Sequence, residues 1–216
     1  MDRILCENDR IQLDRLIADA EKRTKAQIVL AAVKRSDSYA ELPWKAFAFG
    51  ASIAGLLVFA YDLLLPGWIS NTTILISIAA TLAAGAVLAL LAIMLPGFAR
   101  YFLSRHRAEV EVRQYAESLF LSREMFATKA RTGLLLLVSL FERQVVILPD
   151  KGNRDRLNAD ALRNIIALIS KPLAQKKVRR ALELGLEEFI KVLERSAPAG
   201  TFQDELSNEI IEEKGV

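Results

Sequence analysis

The sequence predicts an α/β protein, a three-layer helix–sheet–helix sandwich interrupted by a two-helix transmembrane hairpin. Three observations predict it. Between Lys45 and Arg100 the one charged residue is Asp62. Three short apolar runs, 26–33, 133–140 and 145–148, are each bounded by charge, as buried strands are. Segments with apolar residues at helical spacing flank those runs.

Composition sets the frame for these elements. The chain has 216 residues and is 52% hydrophobic. The apolar residues are concentrated in one window, so the average describes a membrane segment plus an ordinary water-soluble part. A net charge of +3 without an aromatic-interleaved basic stripe argues against nucleic acid as a partner. One Cys and one His, Cys6 and His106, exclude an intrachain disulfide and a Cys/His zinc site. Residues 1–14 are charged throughout, so no cleavable signal peptide is expected.

In chain order, Ile4, Ile11, Leu16, Ile17 and Ala20 share one face of a predicted first helix. The run 26–33, AQIVLAAV, follows as a buried strand, and 36–43 links it to the membrane. Two apolar stretches, 46–65 and 73–95, are each about 20 residues, enough to cross about 30 Å of hydrocarbon as helices. Pro66-Gly67 breaks the chain between them, and Trp68 suits the interface. Ala79, Ala80, Ala83, Ala84 and Gly85 permit close backbone approach in the second span. Asp62 is expected at the interface, beside the turn. Lys34, Arg35 and Lys45 precede the spans, and Arg100, Arg105 and Arg107 follow them. The positive-inside rule therefore predicts an inner-membrane protein, multi-pass, with both termini cytoplasmic and only the turn outside.

A second amphipathic helix is predicted over 105–126, with Val112, Tyr115, Ala116, Leu119 and Phe120 on one face. The run 133–140 is too short for a bilayer, and 145–148 follows within four residues. The two form a β-hairpin whose near-continuous apolarity requires helices on both sheet faces. Helices over 155–170 and 176–195, separated by Pro172, supply them, and Gly185 marks close packing. The acidic segment from Ser196 is expected to be largely disordered, with a possible docking role. The predicted organisation is one domain in two pieces, 1–43 and 99–195, with the membrane hairpin at 44–98 and a tail at 196–216.

The pieces EKRTKAQIVLAAV, His106-Arg107, YAESLF, ARTGLLLLVSLFERQVVILPDKG, KPL and ALELG, in this order around the hairpin, resemble the TPM domain family. The resemblance is closest to a bacterial membrane branch in which a transmembrane hairpin interrupts the domain. It implies a mixed four-stranded sheet with helices on both faces, although no fourth strand is evident in the sequence. It also implies an acidic sheet end that, in some relatives, is associated with calcium binding and acid phosphatase activity. This chain matches that end only at Asp150. Arg131-Thr132 stand where an acidic residue often precedes the central glycine, and Lys151-Gly152-Asn153 replace a Gly-rich acidic loop.

The candidate polar sites therefore lie at the two ends of the β-hairpin. Arg131, Thr132 and Asp150 are at one end, where Arg131 and Asp150 are placed to pair. Glu142-Arg143 at the other end reads as a polar cap on the turn. Asp150 is the single candidate metal ligand, for calcium or magnesium. Asp155 and Asp160 read as first-turn acids of a helix. No catalytic constellation is visible: Ser/His/Asp, Cys/His and phosphate-loop patterns are all missing. The leading expectation is a non-catalytic module, anchored in the bilayer, that binds a membrane-protein partner or maintains a membrane complex. The alternative is a divalent-metal phosphatase at the membrane surface.

Overall fold

The computed structural model describes residues 4–64, 70–197, 205–206, 210–213 and 215. It divides into two compact units. One comprises 1–37 and 108–216, the other 38–107.

The larger unit is built on a four-stranded mixed sheet of order β3-β2-β1-β4, from β1 (Gln27–Val33), β2 (Gly133–Ser139), β3 (Gln144–Pro149) and β4 (Ile211–Glu213). β1 runs parallel to β2, with Leu30 opposite Leu136. β3 runs antiparallel to β2, with Ile147 opposite Leu136. All seven residues of β1 and all seven of β2 are buried, as continuous apolarity requires.

Alternation divides the strands between two cores. Ile28, Leu30, Leu134, Leu136 and Val138 face the first core, with α1 (Glu7–Thr24), α7 (Ala159–Ala174) and α8 (Val178–Leu193). Those helices contribute Leu13, Ile17, Ile165, Ile169, Leu182, Leu186 and Phe189. Val29, Ala31, Val33, Leu135 and Leu137 face the second core, against Val112, Ala116 and Leu119 of α5 (Arg105–Ser122) and against Met125. Each leucine of the β2 run is fully buried, and burying one is worth about 2 kcal/mol relative to exposing it. Gly185 of α8 lies over β2: a Cβ there would stand 2.6 Å from Leu136 Cδ2, the close packing its position predicts.

Among the boundaries that differ from the sequence reading, two lie beside the sheet end and the last helices. After β3 the chain makes a single turn, α6 (Lys151–Arg154), before α7 begins at Ala159. Asn158 starts α7 by accepting the Ala161 amide at 2.8 Å, so Asp155 precedes the helix rather than opening it. Pro172 sits inside the last turn of α7 rather than between helices. Proline supplies no amide to the helix ladder, and α7 ends two residues later, at Ala174.

The larger correction concerns the tail expected to be disordered. Ile211–Glu213 form the fourth strand, parallel to β1, with Ala31 opposite Ile211. Composition misleads here because the acidic residues are engaged. Glu212 Oε2 accepts the amides of Ile4 at 2.8 Å and Leu5 at 3.3 Å, and Glu212 Oε1 lies 3.4 Å from Arg10 Nε. Glu213 accepts the Tyr115 hydroxyl from the other face, and burial together with this carboxylate pushes the phenol pKa upward. Residues 198–204 and 207–209 of the tail lie outside the described residues. Glu212→Ala is expected to speed amide exchange at Ile4 and Leu5 by about tenfold, since one lost hydrogen bond is worth about 1 kcal/mol or slightly more. Hydrogen-exchange mass spectrometry of the full chain checks this.

The second unit holds α2 (Glu41–Leu64), α3 (Asn71–Met94) and the short α4 (Pro96–Ala99). α2 and α3 are each 24 residues, and both are long and apolar enough to cross a membrane. Ser70 opens α3 by accepting the Thr73 amide at 3.2 Å. Small residues bring the two helices together. A Cβ at Gly50 would stand 2.9 Å from the Ala84 carbonyl oxygen, and one at Gly85 would stand 2.9 Å from the Phe47 ring. The predicted turn at Pro66-Gly67 and the interfacial Trp68 lie outside the described residues.

Candidate functional site

The end of the sheet where β1 and β2 begin and β3 finishes carries the first polar cluster. Its framework is a tight turn before β2. The Arg131 amide donates to the Thr128 carbonyl at 3.0 Å, and the Thr132 amide donates to Thr128 Oγ1 at 3.1 Å. Arg131 takes a left-handed conformation with φ 54°. Gly133 follows because the backbone of Met125 crosses there: a Cβ would stand 2.4 Å from the Met125 carbonyl oxygen.

This turn aims the Arg131 guanidinium at Asp150. Nε donates to Oδ2 at 2.7 Å and Nη2 donates to Oδ1 at 3.0 Å, a bidentate pair. The Lys151 amide donates to the same Oδ1 at 2.7 Å. Asp150 is 6% exposed. Burial pushes its carboxyl pKa up, but the Arg131 guanidinium, the Lys151 amide and the Arg154 charge outweigh it. Together they hold the group below the usual carboxylate value. Asn153 Nδ2 donates to the Thr132 carbonyl at 2.6 Å, tying α6 to the start of β2.

Behind this cluster lies Arg156. Its Nη2 donates to the carbonyls of Thr24 and Leu193, both at 2.7 Å, and its Nη1 donates to Asn153 Oδ1 at 2.7 Å. Thr24 and Leu193 end α1 and α8, so one cation satisfies two helix C-termini.

The fit of this end to a divalent ion can be judged from its donors. Calcium takes six to eight oxygen ligands, and magnesium keeps several waters beside one or two carboxylates. Asp150 already accepts three N–H bonds, Arg154 adds positive charge beside it, and the Glu21 and Glu205 carboxylates at this end accept the amides of Ile28 and Lys129. Among the described residues no group of three or more His, Cys, Asp or Glu side chains could hold a metal ion. The donor set does not fit calcium or magnesium.

The lowered Asp150 carboxyl makes a pH prediction. Its contribution to stability is fully present above the ordinary value of 3.8 and is lost as pH falls from there through the lower folded value. The urea midpoint of the parent should therefore decline with pH in that acid window, while Asp150→Asn is less stable near neutrality and loses that part of the decline. Denaturation curves of both proteins between pH about 2 and about 7 test this.

The opposite end of the sheet carries the second cluster. Glu142 sits in the β2–β3 turn, yet it is 7% exposed. Its Oε1 accepts the Ser36 amide at 2.9 Å, and its Oε2 accepts the Ser139 hydroxyl. Ser36 Oγ lies 3.3 Å from Ser139 Oγ. The Arg35 guanidinium stacks over the Phe141 ring at 4.8 Å. Arg143, at φ 54°, is exposed.

The five residues singled out from sequence thus form two separate groups. Arg131, Thr132 and Asp150 meet at one end, while Glu142 and Arg143 part company at the other, one turned inward and one outward. Sequence reasoning missed Ser36, Ser139, Asn153 and Arg156. Ser139 left a trace as the one hydroxyl in an otherwise apolar strand. Arg156 left none, because the two helix ends it joins, at Thr24 and Leu193, offer backbone carbonyls far away in the chain.

The sheet topology and its polar ends define an α/β domain of mixed sheet with helices on both faces. The family model described as the TPM domain matches residues 102–192. The fold is also similar to the NMR structure of BA42 protein from the psychrophilic bacterium Bizionia argentinensis. That likeness has a TM-score of 0.59 at 18% identity and covers 98% of this chain and 97% of that one. No curated protein matches the chain.

Proposed function

We propose that the chain is a membrane-anchored TPM module that acts by binding a membrane-protein partner, in the assembly or maintenance of a membrane complex. The observation that carries this reading is the Arg131–Asp150 clasp. The strand-end carboxylate on which metal-assisted hydrolysis would depend is held by a bidentate guanidinium and a backbone amide. A calcium or magnesium ion would have to displace that guanidinium first.

The anchorage is supported by α2 and α3, whose apolar side chains lie almost wholly on the surface, Trp44, Phe49, Leu56, Leu57 and Leu90 among them. Water would not tolerate so much contiguous apolar area, whereas hydrocarbon covers it. The flanking Lys and Arg support a topology with both soluble segments on the cytoplasmic side of an inner membrane.

Two experiments test the proposal. A reporter enzyme that works only outside the membrane should be active when inserted after Asn71 and silent at the C-terminus; the reverse pattern sinks the topology. Crosslinking in native membranes should recover a specific membrane protein with the parent chain. A thermal midpoint that rises with calcium in the parent, but not in Asp150→Asn, would favour the metal-dependent hydrolase instead.

A further inference from the structure

We propose that the turn joining α7 to α8, from Lys171 to Arg180, is a docking surface for the anionic phospholipid headgroups of a membrane, an inference that rests on the membrane anchorage proposed above. Residues 171–180, KPLAQKKVRR, hold five cationic side chains and no acidic one. The chain reverses sharply here. The amides of Gln175 and Lys177 both donate to the Pro172 carbonyl, and Lys176 takes φ 60°. Lys171, Lys176 and Lys177 are all exposed on this reversal.

The nearby carboxylates are claimed by arginines. Arg179 bonds Glu183 at 2.7 Å and Asp9 at 3.0 Å, while Arg180 lies 3.4 Å from Glu183 and 3.3 Å from Glu187. Among the described residues no carboxylate lies within ion-pair distance of Lys171, Lys176 or Lys177. Three exposed ammonium groups on this turn thus carry uncompensated charge. Leu168, 43% exposed and one helical turn before Lys171, adds an apolar side chain to the same stretch.

This is the chemistry of an anionic surface rather than of a nucleic acid or a single phosphate. The segment 171–180 has no aromatic side chain on which a base could stack. Its charges lie spread over an exposed turn, which suits many headgroups at once. Two membrane helices in the same chain would hold the domain at high effective headgroup concentration, so individually weak contacts suffice. Polybasic segments beside a membrane anchor bind anionic leaflets and are released by salt.

The test uses the full chain in lipid nanodiscs of phosphatidylcholine alone or with about 30% phosphatidylglycerol, an anionic fraction large enough to create a negative surface potential. Lysines are labelled with an amine-reactive reagent and read by mass spectrometry, with Lys22 of α1 as the internal reference. Labelling of Lys171, Lys176 and Lys177 should fall about threefold in the anionic discs, and about 0.5 M salt should restore it. Inorganic phosphate added to neutral discs should leave labelling unchanged. The double variant K176E/K177E, with an unaltered circular dichroism spectrum, should lose the lipid-dependent protection at Lys171. Equal labelling in both discs overturns the proposal, as does protection reproduced by phosphate alone. A chain that enters neither disc overturns the anchorage itself, an outcome distinct from an anchored chain with equal labelling.

Discussion

Arg156→Ala should lower the unfolding free energy of the α/β domain by about 3 kcal/mol, counting about 1.5 for each of its two charge-assisted bonds to the carbonyls of Thr24 and Leu193. Helix C-termini leave carbonyls without partners, and the macrodipole makes them a favourable place for a cation. Here two such ends converge on one guanidinium, which also holds Asn153 and so reaches the polar cluster at the sheet end. Burial lowers the Arg156 pKa, but an arginine still remains charged at any ordinary pH. Alanine leaves both carbonyls without that donor. Arg156→Lys should recover only part of the loss, because a single ammonium cannot reproduce the planar fork that spans two helix ends. Denaturant titration of the full chain in detergent measures the loss, and hydrogen exchange locates it. Faster exchange should appear in the last turns of α1 and α8 and not in α5, which packs on the opposite face of the sheet. Uniform acceleration through all helices would instead indicate a general loss of packing.

The contrast between Arg156 and the β2 run shows which parts of this protein can be read from sequence. GLLLLVSL is legible because its physics is local: eight residues cannot span a bilayer, and continuous apolarity demands cover on both faces. The same holds for α2 and α3 as long apolar helices, whose length and missing charge are local features. Gly185 and Gly85 are legible as small residues, and the structure supplies the neighbours that require them. The Arg131–Asp150 pair was within reach because an antiparallel hairpin brings the two ends of its sequence together. β4 was not, since composition marks an acidic segment as disordered unless partners for the charges are known. Those partners, the amides of Ile4 and Leu5 and the hydroxyl of Tyr115, are about 100 to 200 positions away. Glu142 shows the same gap from the other direction. A charged residue in a hairpin turn normally points into water, and nothing local in SLFER indicates that a serine preceding α2 in the chain, Ser36, comes to meet it.

That meeting gives the second large effect. Glu142→Ala should destabilise the domain by about 3 kcal/mol, because it orphans two buried donors, the Ser36 amide and the Ser139 hydroxyl, at about 1 to 3 kcal/mol each. The Ser36 amide belongs to the backbone, whereas the Ser139 hydroxyl is removed by a simple truncation to alanine. Adding Ser139→Ala to Glu142→Ala should therefore cost less than the sum of the two single substitutions, and the double variant should be more stable than Glu142→Ala alone. This non-additivity follows from the asymmetry of hydrogen bonding: a bond replaced on both sides by apolar groups is nearly neutral, whereas a bond broken on one side leaves an unsolvated dipole. Glu142→Gln keeps an acceptor for one donor and should fall between the parent and the alanine variant. A double-mutant cycle in urea distinguishes this from a generic packing loss, for which the two alanine substitutions would add. The outcome also bears on the fold as a whole. Ser36 lies before α2 and α3 and Ser139 and Glu142 lie after them, so their coupling energy measures how firmly the interrupted sandwich is stitched across its insertion.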